Sequence, residues 1–547
     1  MAIEAPPPAA TSPTSPSLPS AYARKSTGLV RQISLTGQSV FAASGNPFGF
    51  SLVITLFALT LFPRSNFYIA MAIALVCGVT SWVTFALLSA MMPRVGGDYA
   101  FVSRILNPAV GLGSNLSFFV GSMMAAGLWC YWVAEQGLSP ALTVIGAVTH
   151  SKGLTSAGAS FGPTHQVNCF LVAAGALLLM SGLSALGTRI AFRVVTALFM
   201  IAAAGFVIDM VILALTSHGS FVSRINHLAG HGSYGKTVAK GSASLLPTHG
   251  YSVKSTIGAA YYCLSNTVFC WAGVYTIAEF RGAGQRKRQL KTMLGTGSVQ
   301  IFLILIAAFI FLNTVGYSFF ISALGGNYSG PGGSTVGLAG YVYFAGLATP
   351  GKLLVAILSL SFMGWWLPGL WVNLAMAQRA LLSYSFDGLL PKRIAYVSPK
   401  THTPLVAIAI VTVGSLAGCA WVSFSSSFFK VLGIMLLLSF VPMIFVGVAA
   451  IAVKRRRTDL YKGSPAEWRI AGVEVLPVAG AGCLLVGVAA IATALYFHTQ
   501  LAFNVWVAGV LPFGIMAFGL AWYAVARTVR RKRGVDLDLV YRTIPPE

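Results

Sequence analysis

Charge is what this sequence has least of: 9% of its 547 residues are Asp, Glu, Lys or Arg, and only 12 are acidic. Soluble globular domains carry about 25% charged residues, so a water-soluble enzyme is excluded before any motif is sought. Cysteine is sparse as well. The seven, Cys77, Cys130, Cys169, Cys263, Cys270, Cys419 and Cys483, lie within or beside apolar stretches. That placement excludes a disulfide framework and a thiolate metal site, and leaves them as small packing residues. The apolar stretches hold no Gly-x-Ser-x-Gly nucleophile and no interfacial His/Asp/Glu cluster, which argues against a membrane enzyme. Repeated filter loops and charged rings are missing too, which argues against a channel.

What is abundant is apolar surface, at 56% of residues. Twelve stretches, from Gly37–Phe62 at the start through Ala109–Ala134, the third, and Thr256–Ala278, the sixth, to Leu501–Ala526 at the end, are each about 20 to 26 residues long, enough to cross a hydrocarbon core of about 30 Å. Within lipid no water satisfies backbone N–H and C=O groups, so stretches of this length must be helices; barrel strands would be half as long and alternating. The expected fold class is all-α integral membrane with about twelve transmembrane helices.

The formal charge of +24 does not point to nucleic acid, because its distribution follows a bilayer. With both termini on one side, 28 of the 36 Lys and Arg fall on that side and 8 on the other. This is the positive-inside bias, and it places both termini in the cytoplasm of a multi-pass protein of the cell membrane. Basic runs at Arg281–Lys291, Lys454–Arg457 and Arg527–Arg533 flank helix ends, where they meet anionic headgroups. The first residues, with Pro6–Pro8, Pro13, Pro16 and Pro19, cannot bury enough apolar surface to fold. The expected organisation is a disordered tail at 1–32, a core of ten spans at 33–453, two further helices at 454–527 and a basic tail at 528–547. The long outer connections, Ser217–Ser255 and Tyr317–Pro350, are Gly- and Ser-rich and are expected to cover an outer vestibule. Seven of the eight histidines fall on the outer side; His227 and His231 share a helix spacing but lack a third metal ligand.

Two of the stretches are interrupted. The first reads Ser44-Gly45-Asn46-Pro47-Phe48-Gly49 about a third of the way across. Pro47 opposes continuation of the preceding helix and suits the first turn of a new one. The segment is either a proline kink packed through glycines or a true break, in which free N–H groups hold an anion. The sixth stretch carries Asn266, Thr267, Phe269, Trp271, Gly273 and Tyr275, which reads as a pocket wall or as an ordinary helix interface rich in small residues.

At this point the chain resembles the amino acid-polyamine-organocation superfamily of transporters. Two cytoplasmic connections carry the resemblance. Pro93-Arg94-Val95-Gly96-Gly97-Asp98-Tyr99, followed by Ser103-Arg104 and Pro108, is similar to the Pro-x-x-Gly-Gly-x-Tyr connection after helix two. Gln378-Arg379, Asp387-Gly388-Leu389-Leu390-Pro391 and Thr403-Pro404 are similar to the signature after helix eight. The resemblance covers about Ile33 to Arg527. It implies ten core helices in two inverted five-helix repeats, as in the leucine-transporter-like fold, two peripheral helices, and substrate between broken helices one and six. The family's Gly-Ser-Gly-Ile-Gly type of run is replaced by Ser44–Gly49, and the acid after its sixth-helix glycine is replaced by hydrophobic or hydroxyl residues.

The expected function is that of a permease moving an amino acid by alternating access. The alternative is an exchanger of amines, polyamines or another small organic solute. The carboxylate is expected at N–H groups around Ser44–Gly49 and the ammonium at carbonyls around Phe269–Gly273. The solute's side chain is expected to be neutral, since neither interruption supplies an acid or an arginine, and Phe48, Phe269, Trp271 and Tyr275 would give it an apolar pocket. Gly96, Gly97, Tyr99, Glu279, Arg379 and Asp387 are expected at a cytoplasmic gate, with Glu279 in an ion pair beside Arg281. No metal or cofactor is expected.

Familiar coupling devices are absent. The fifth stretch has no lysine near Ala202, the place of the family's sodium-replacing lysine, and the eighth has no Ser or Thr between Ser361 and Ser383. One acid, Asp209, stands within a stretch, and intramembrane acids face protein or a cavity. It is the expected site of proton coupling, or else a hydrogen bond between helices. Nothing in the sequence sets the oligomeric state.

Overall fold

The computed structural model describes residues 29–243, 250–330, 340–425, 428–501 and 504–542. The Pro-rich start of the expected tail, His249 and the last five residues lie outside the described residues.

The structure is helical nearly throughout; the strands among the described residues are one short hairpin, Arg469–Ile470 with Val473–Glu474. Eleven helices are long and apolar enough to cross a membrane among the described residues. The expected sixth span, Thr256–Ala278, is not a single long helix. It is two short pieces, Val253–Ser265 and the tight 3₁₀ helix Val268–Glu279, separated by Asn266 and Thr267. The first span is also divided, into Leu35–Ser44 and Phe48–Leu61.

Local chemistry sets the helix ends. The side chains of Ser34, Asn66, Asn107 and Ser252 accept from N–H groups of the first turns that follow them, satisfying donors with no partner inside the helix. Gly187, at φ +126°, turns the chain between the fourth span, Gln166–Ala185, and the fifth, Thr188–Leu215.

Burial sorts the spans into a centre and a shell. The hydrophobic windows of the first and third spans are 83% buried, and that of the tenth, Leu432–Arg456, is 78%. Those of the fourth, the fifth and the ninth, Leu405–Phe424, are 33% buried. Their outer faces expose Leu171, Leu179, Val207 and Val413. Apolar surface of that extent is stable only against lipid. The third span packs against the eighth, Lys352–Phe386, as well as the ninth, the tenth and the twelfth, Val505–Lys532.

Two expectations need correction. The third span does not stop at Ala134: Pro108–Trp132 continues through a π-helical turn, Val133–Leu138, into Ser139–Thr149. The added turn carries Glu135, so Asp209 is not alone among acids within spanning helices. The outer connections are not plain loops either. His218–Ala229, Ser233–Ala243 and Gly340–Ala348 are helices. Phe221, Tyr234, Phe319 and Phe344 hold them together, with Tyr234 stacked on Phe319 at 4.4 Å. In His218–Ala229 and Ser233–Ala243 the few apolar residues recur at helical spacing, so low average hydropathy concealed them, whereas Gly340–Ala348 is apolar and buried but too short to read as a span.

Candidate functional site

Pro47, at φ −59° and ψ 145°, ends the first half-helix and starts the second. The two interrupted spans meet there. A Cβ on Gly45 would stand 2.7 Å from the Phe269 carbonyl oxygen, closer than real side chains come, so glycine is what allows the two backbones to touch. The groups released by the breaks bond across to each other. Asn46 Nδ2 donates to the Ser265 carbonyl at 3.2 Å, Ser51 Oγ to the Asn266 carbonyl at 2.7 Å, and Trp82 Nε1 to the Val268 carbonyl at 2.8 Å. Gln300 Nε2, from the seventh span, donates to the Asn46 carbonyl at 2.7 Å. These bonds replace the water that a broken helix would otherwise need. The proline-kink alternative is thus set aside for the first span: the helix is interrupted and its polar groups are used.

Beside this junction lies a cavity of about 30 Å³, room for a water molecule or two. Gly45, Asn46, Asn266 and Phe269 line it from the two breaks. Phe118, Ser122 and Trp129 line it from the third span, Asn373 and Met376 from the eighth, and Met435 and Ser439 from the tenth. Among the described residues no charged side chain lines it. Two buried polar atoms of its wall residues, Asn266 Oδ1 and Ser122 Oγ, have no hydrogen-bond partner among the described residues. Leaving such atoms unpaired costs about 1–3 kcal/mol each, so they mark where a polar ligand would be held.

The other expected residues stand off this cavity. Phe48 packs on Phe206 at 4.3 Å and Gly49 against the Trp365 indole. Trp271 stacks on Phe85 at 4.4 Å, and Tyr275 on Phe118 at 4.9 Å. A Cβ on Gly273 would meet Phe280, and Thr267 Oγ1 turns back to the Cys263 carbonyl at 2.9 Å. Ser44 is buried at the end of the first half-helix, its hydroxyl unpartnered among the described residues. The carbonyls of Phe269–Gly273, expected to face an ammonium, lie within the 3₁₀ helix and accept its i+3 bonds. The walls from the third, eighth and tenth spans were missed. A signal existed for one: Phe118, Ser122, Ala125 and Trp129 recur at spacings of four, three and four, one face of a helix.

The second cluster is at the end of the spans near both termini, where Gln32 and Ile33 bond to Glu279 and Tyr541 to Tyr99. Gly96 and Gly97 take φ of +105° and +58°, and a side chain on Gly96 would strike Ser383. This sharp turn delivers Asp98 and Tyr99 into the protein. Asp98 Oδ1 accepts from Asn115 Nδ2 at 2.8 Å and from the Tyr275 hydroxyl, while the Tyr384 hydroxyl donates to Asn115 Oδ1. Burial pushes the Asp98 carboxyl up to about 6, against the downward pull of the hydrogen bonds from Tyr275 and Asn115. Arg104 grips both oxygens of Asp387 at 2.8 Å. Glu279 is not paired beside Arg281: its partner is Arg379, with Nε to Oε1 at 2.9 Å and Nη2 to Oε2 at 3.3 Å. Its side chain is 2% exposed and that of Arg379 is 3%. The Glu279 carbonyl also accepts from the Gln32 and Ile33 N–H groups, which pins the segment before the first span to the end of the sixth.

Asp209 stands in the outer half of the fifth span, where the Tyr341 hydroxyl donates to its Oδ2 at 2.7 Å. Ser359 and Ser361 share with this pair a cavity of about 20 Å³. Glu135, on the π-helical turn, has an Oε2 without a hydrogen-bond partner among the described residues. Among the described residues no group of three His, Cys, Asp or Glu is placed to hold a metal.

A family whose model is described as amino acid permease matches residues 28–518. No curated protein matches the chain.

Proposed function

The chain belongs to the amino acid permease family, and from that premise we propose that its central cavity, which at about 30 Å³ must widen as the spans part, takes a neutral α-amino acid for secondary active transport by alternating access. The family makes the protein a multi-pass membrane transporter of a small molecule; the site's chemistry supports the narrower reading. The observation that carries it is an uncharged cavity at the junction of two broken spans, with Asn266 Oδ1 and Ser122 Oγ unpartnered in its wall among the described residues. In this reading the solute's carboxylate lies at the N–H of Phe50, a wall residue in the first turn of the second half-helix, where N–H groups have no acceptor within the helix. Its ammonium donates to Asn266 Oδ1. Its side chain lies among Phe118, Met376 and Met435, where no charge answers a guanidinium or a second carboxylate. The protein works in the cell membrane with both termini in the cytoplasm.

Purified protein in detergent tests this through stabilisation by leucine-like, arginine-like and glutamate-like solutes. Preferential stabilisation by the neutral solute is expected, and preference for arginine or a polyamine would overturn the reading. Ser122→Ala removes a hydroxyl that bonds nothing in the described protein, so folding should be unchanged while affinity falls about tenfold. Gly45→Val should abolish binding, because its side chain meets the Phe269 carbonyl.

Coupling in this reading is to protons, with Asp209 as carrier. Asp209→Asn should retain solute exchange in proteoliposomes and lose accumulation driven by a pH gradient. Sodium-driven uptake by the unaltered protein would sink the ion assignment. Full pH-driven accumulation by the variant would exclude Asp209 and turn attention to Glu135.

A further inference from the structure

The connection after the second span, the end of the tenth span and the C-terminal helix, Leu537–Arg542, line an open surface cavity of about 490 Å³ that the transport reading does not use. Four arginines line it, Arg104, Arg456, Arg457 and Arg542, against two acids, Asp459 and Asp538.

The four arginines do different things. Arg104 is held by Asp387, with the rings of Tyr99 and Tyr541 at 5.7 and 5.0 Å from its guanidinium and their hydroxyls 2.9 Å apart. Arg457 pairs with Asp459 at 2.8 Å and donates to the carbonyls of Arg104 at 2.9 Å and Arg542 at 3.1 Å, so one side chain ties all three walls together. These two are structural. Arg456 gives one N–H to the Leu106 carbonyl at 3.2 Å, and the Arg542 guanidinium has no hydrogen bond or ion pair among the described residues. Both are exposed, with most of their donors free.

We propose that this cavity binds a phosphate monoester at the membrane surface on the side of the termini. Arg104 is neutralised by Asp387, Arg457 by Asp459, and Asp538 by Arg527, so Arg456 and Arg542 leave two positive charges, and a phosphate monoester carries about −1.5 to −2 at neutral pH. Guanidinium forks match phosphate oxygens two at a time. The cavity lies where the tenth span ends, flanked by Lys454 and Arg455, and by Arg530, Arg531, Lys532 and Arg533 at the end of the twelfth. Headgroup phosphates lie at that level, and such basic clusters concentrate anionic ligands. The phosphate comes either from a lipid headgroup or from a free phosphate. In both cases it bridges the C-terminal helix to Arg456 beside the Arg104–Asp387 pair.

The test is the unfolding temperature of the full chain in detergent, titrated with dioctanoyl phosphatidic acid, dioctanoyl phosphatidylcholine or inorganic phosphate. Phosphatidic acid should raise it and phosphatidylcholine should not. The double variant Arg456→Gln, Arg542→Gln should need about tenfold more phosphatidic acid for the same shift. A control pair, Lys400→Gln with Lys462→Gln, changes exposed lysines outside the cavity and its flanking clusters and should respond as the unaltered protein does. A response to inorganic phosphate with the same dependence on Arg456 and Arg542 assigns a free phosphate as the source; a response to phosphatidic acid alone assigns a lipid. Absence of any response, equal stabilisation by phosphatidylcholine, or an undiminished phosphatidic acid response in the Arg456, Arg542 variant would each overturn the site.

Discussion

The middle of this protein and the end near both termini are both junctions of several spans, yet they are built from opposite materials. The described residues that line the central cavity are uncharged, and two buried polar atoms in its wall have no partner among the described residues. The end near the termini holds two buried ion pairs, Arg379–Glu279 and Arg104–Asp387, and a hydrogen-bonded group of Asp98, Asn115, Tyr275 and Tyr384. An unfilled hydrogen-bonding group is completed by a ligand. A buried ion pair is complete already and must be parted for its elements to move. In the proposed cycle the difference would assign holding a solute and closing the path behind it to separate chemistry along one set of helices, and Tyr275 joins the two, bonded to Asp98 and stacked on Phe118 of the cavity wall.

If that division is right, substitutions at the end near the termini should change stability and those at the centre should change binding. The largest effect is expected for Glu279→Ala, which strands a buried guanidinium and should cost about 3–5 kcal/mol in unfolding free energy. Glu279→Ala with Arg379→Leu should recover much of that loss, and a single-variant loss within 0.5 kcal/mol, the scale of ordinary surface changes, would break the comparison. Asp98 gives a pH signature of the same end. Its carboxyl titrates higher in the folded protein, near 6, than when exposed, so its contribution to stability is present below about pH 4 and is lost as pH rises through about 6. The change is on the order of 3 kcal/mol. Unfolding measured between those limits should show stability falling with rising pH, and Asp98→Asn should flatten that dependence.

At the centre, Gly121→Ala sharpens the contrast. A Cβ there would stand 3.5 Å from the Leu438 Cβ, an ordinary contact, so unfolding should shift by less than about 0.5 kcal/mol. The added methyl narrows the cavity and should weaken the bulkiest accepted solutes by about 1–3 kcal/mol in competition assays. A large stability loss with unchanged solute preference would place Gly121 in packing alone. The smallest effect is expected for Tyr541→Phe, which removes the hydroxyl bonded to Tyr99 but keeps the ring over Arg104. About 0.5–1.5 kcal/mol of unfolding free energy should be lost.

The two junctions were legible in the sequence to different depths. Gly45, Asn46 and Pro47 announced a break because proline and glycine act on their own backbone. Asn266 and Thr267 hinted at the second only as polar residues in an apolar run. Glu279 and Arg379 were both marked for the gate, but Glu279 was matched to the nearby Arg281 because sequence proximity was the only distance available. The aromatic residues Phe48, Trp271 and Tyr275 illustrate the opposite error. Their chemistry suits a pocket lining, yet Phe48 and Trp271 pack on rings outside the cavity and Tyr275 stands behind Phe118 of its wall.

The sequence by itself determined that this chain crosses a membrane many times as helices, which ends carry the positive charge, and where the first span is interrupted. Those properties follow from transfer of short segments between water and lipid and from backbone constraints at single residues, both local. Only the tertiary structure decided that Asn46 bonds to Ser265, that Phe118, Asn373 and Met435 share one cavity, and that Tyr541 closes over Arg104. Helical periodicity says which side chains share a face. What that face meets depends on how helices far apart in the chain pack, and a span surrounded by lipid and a span surrounded by protein can be equally apolar.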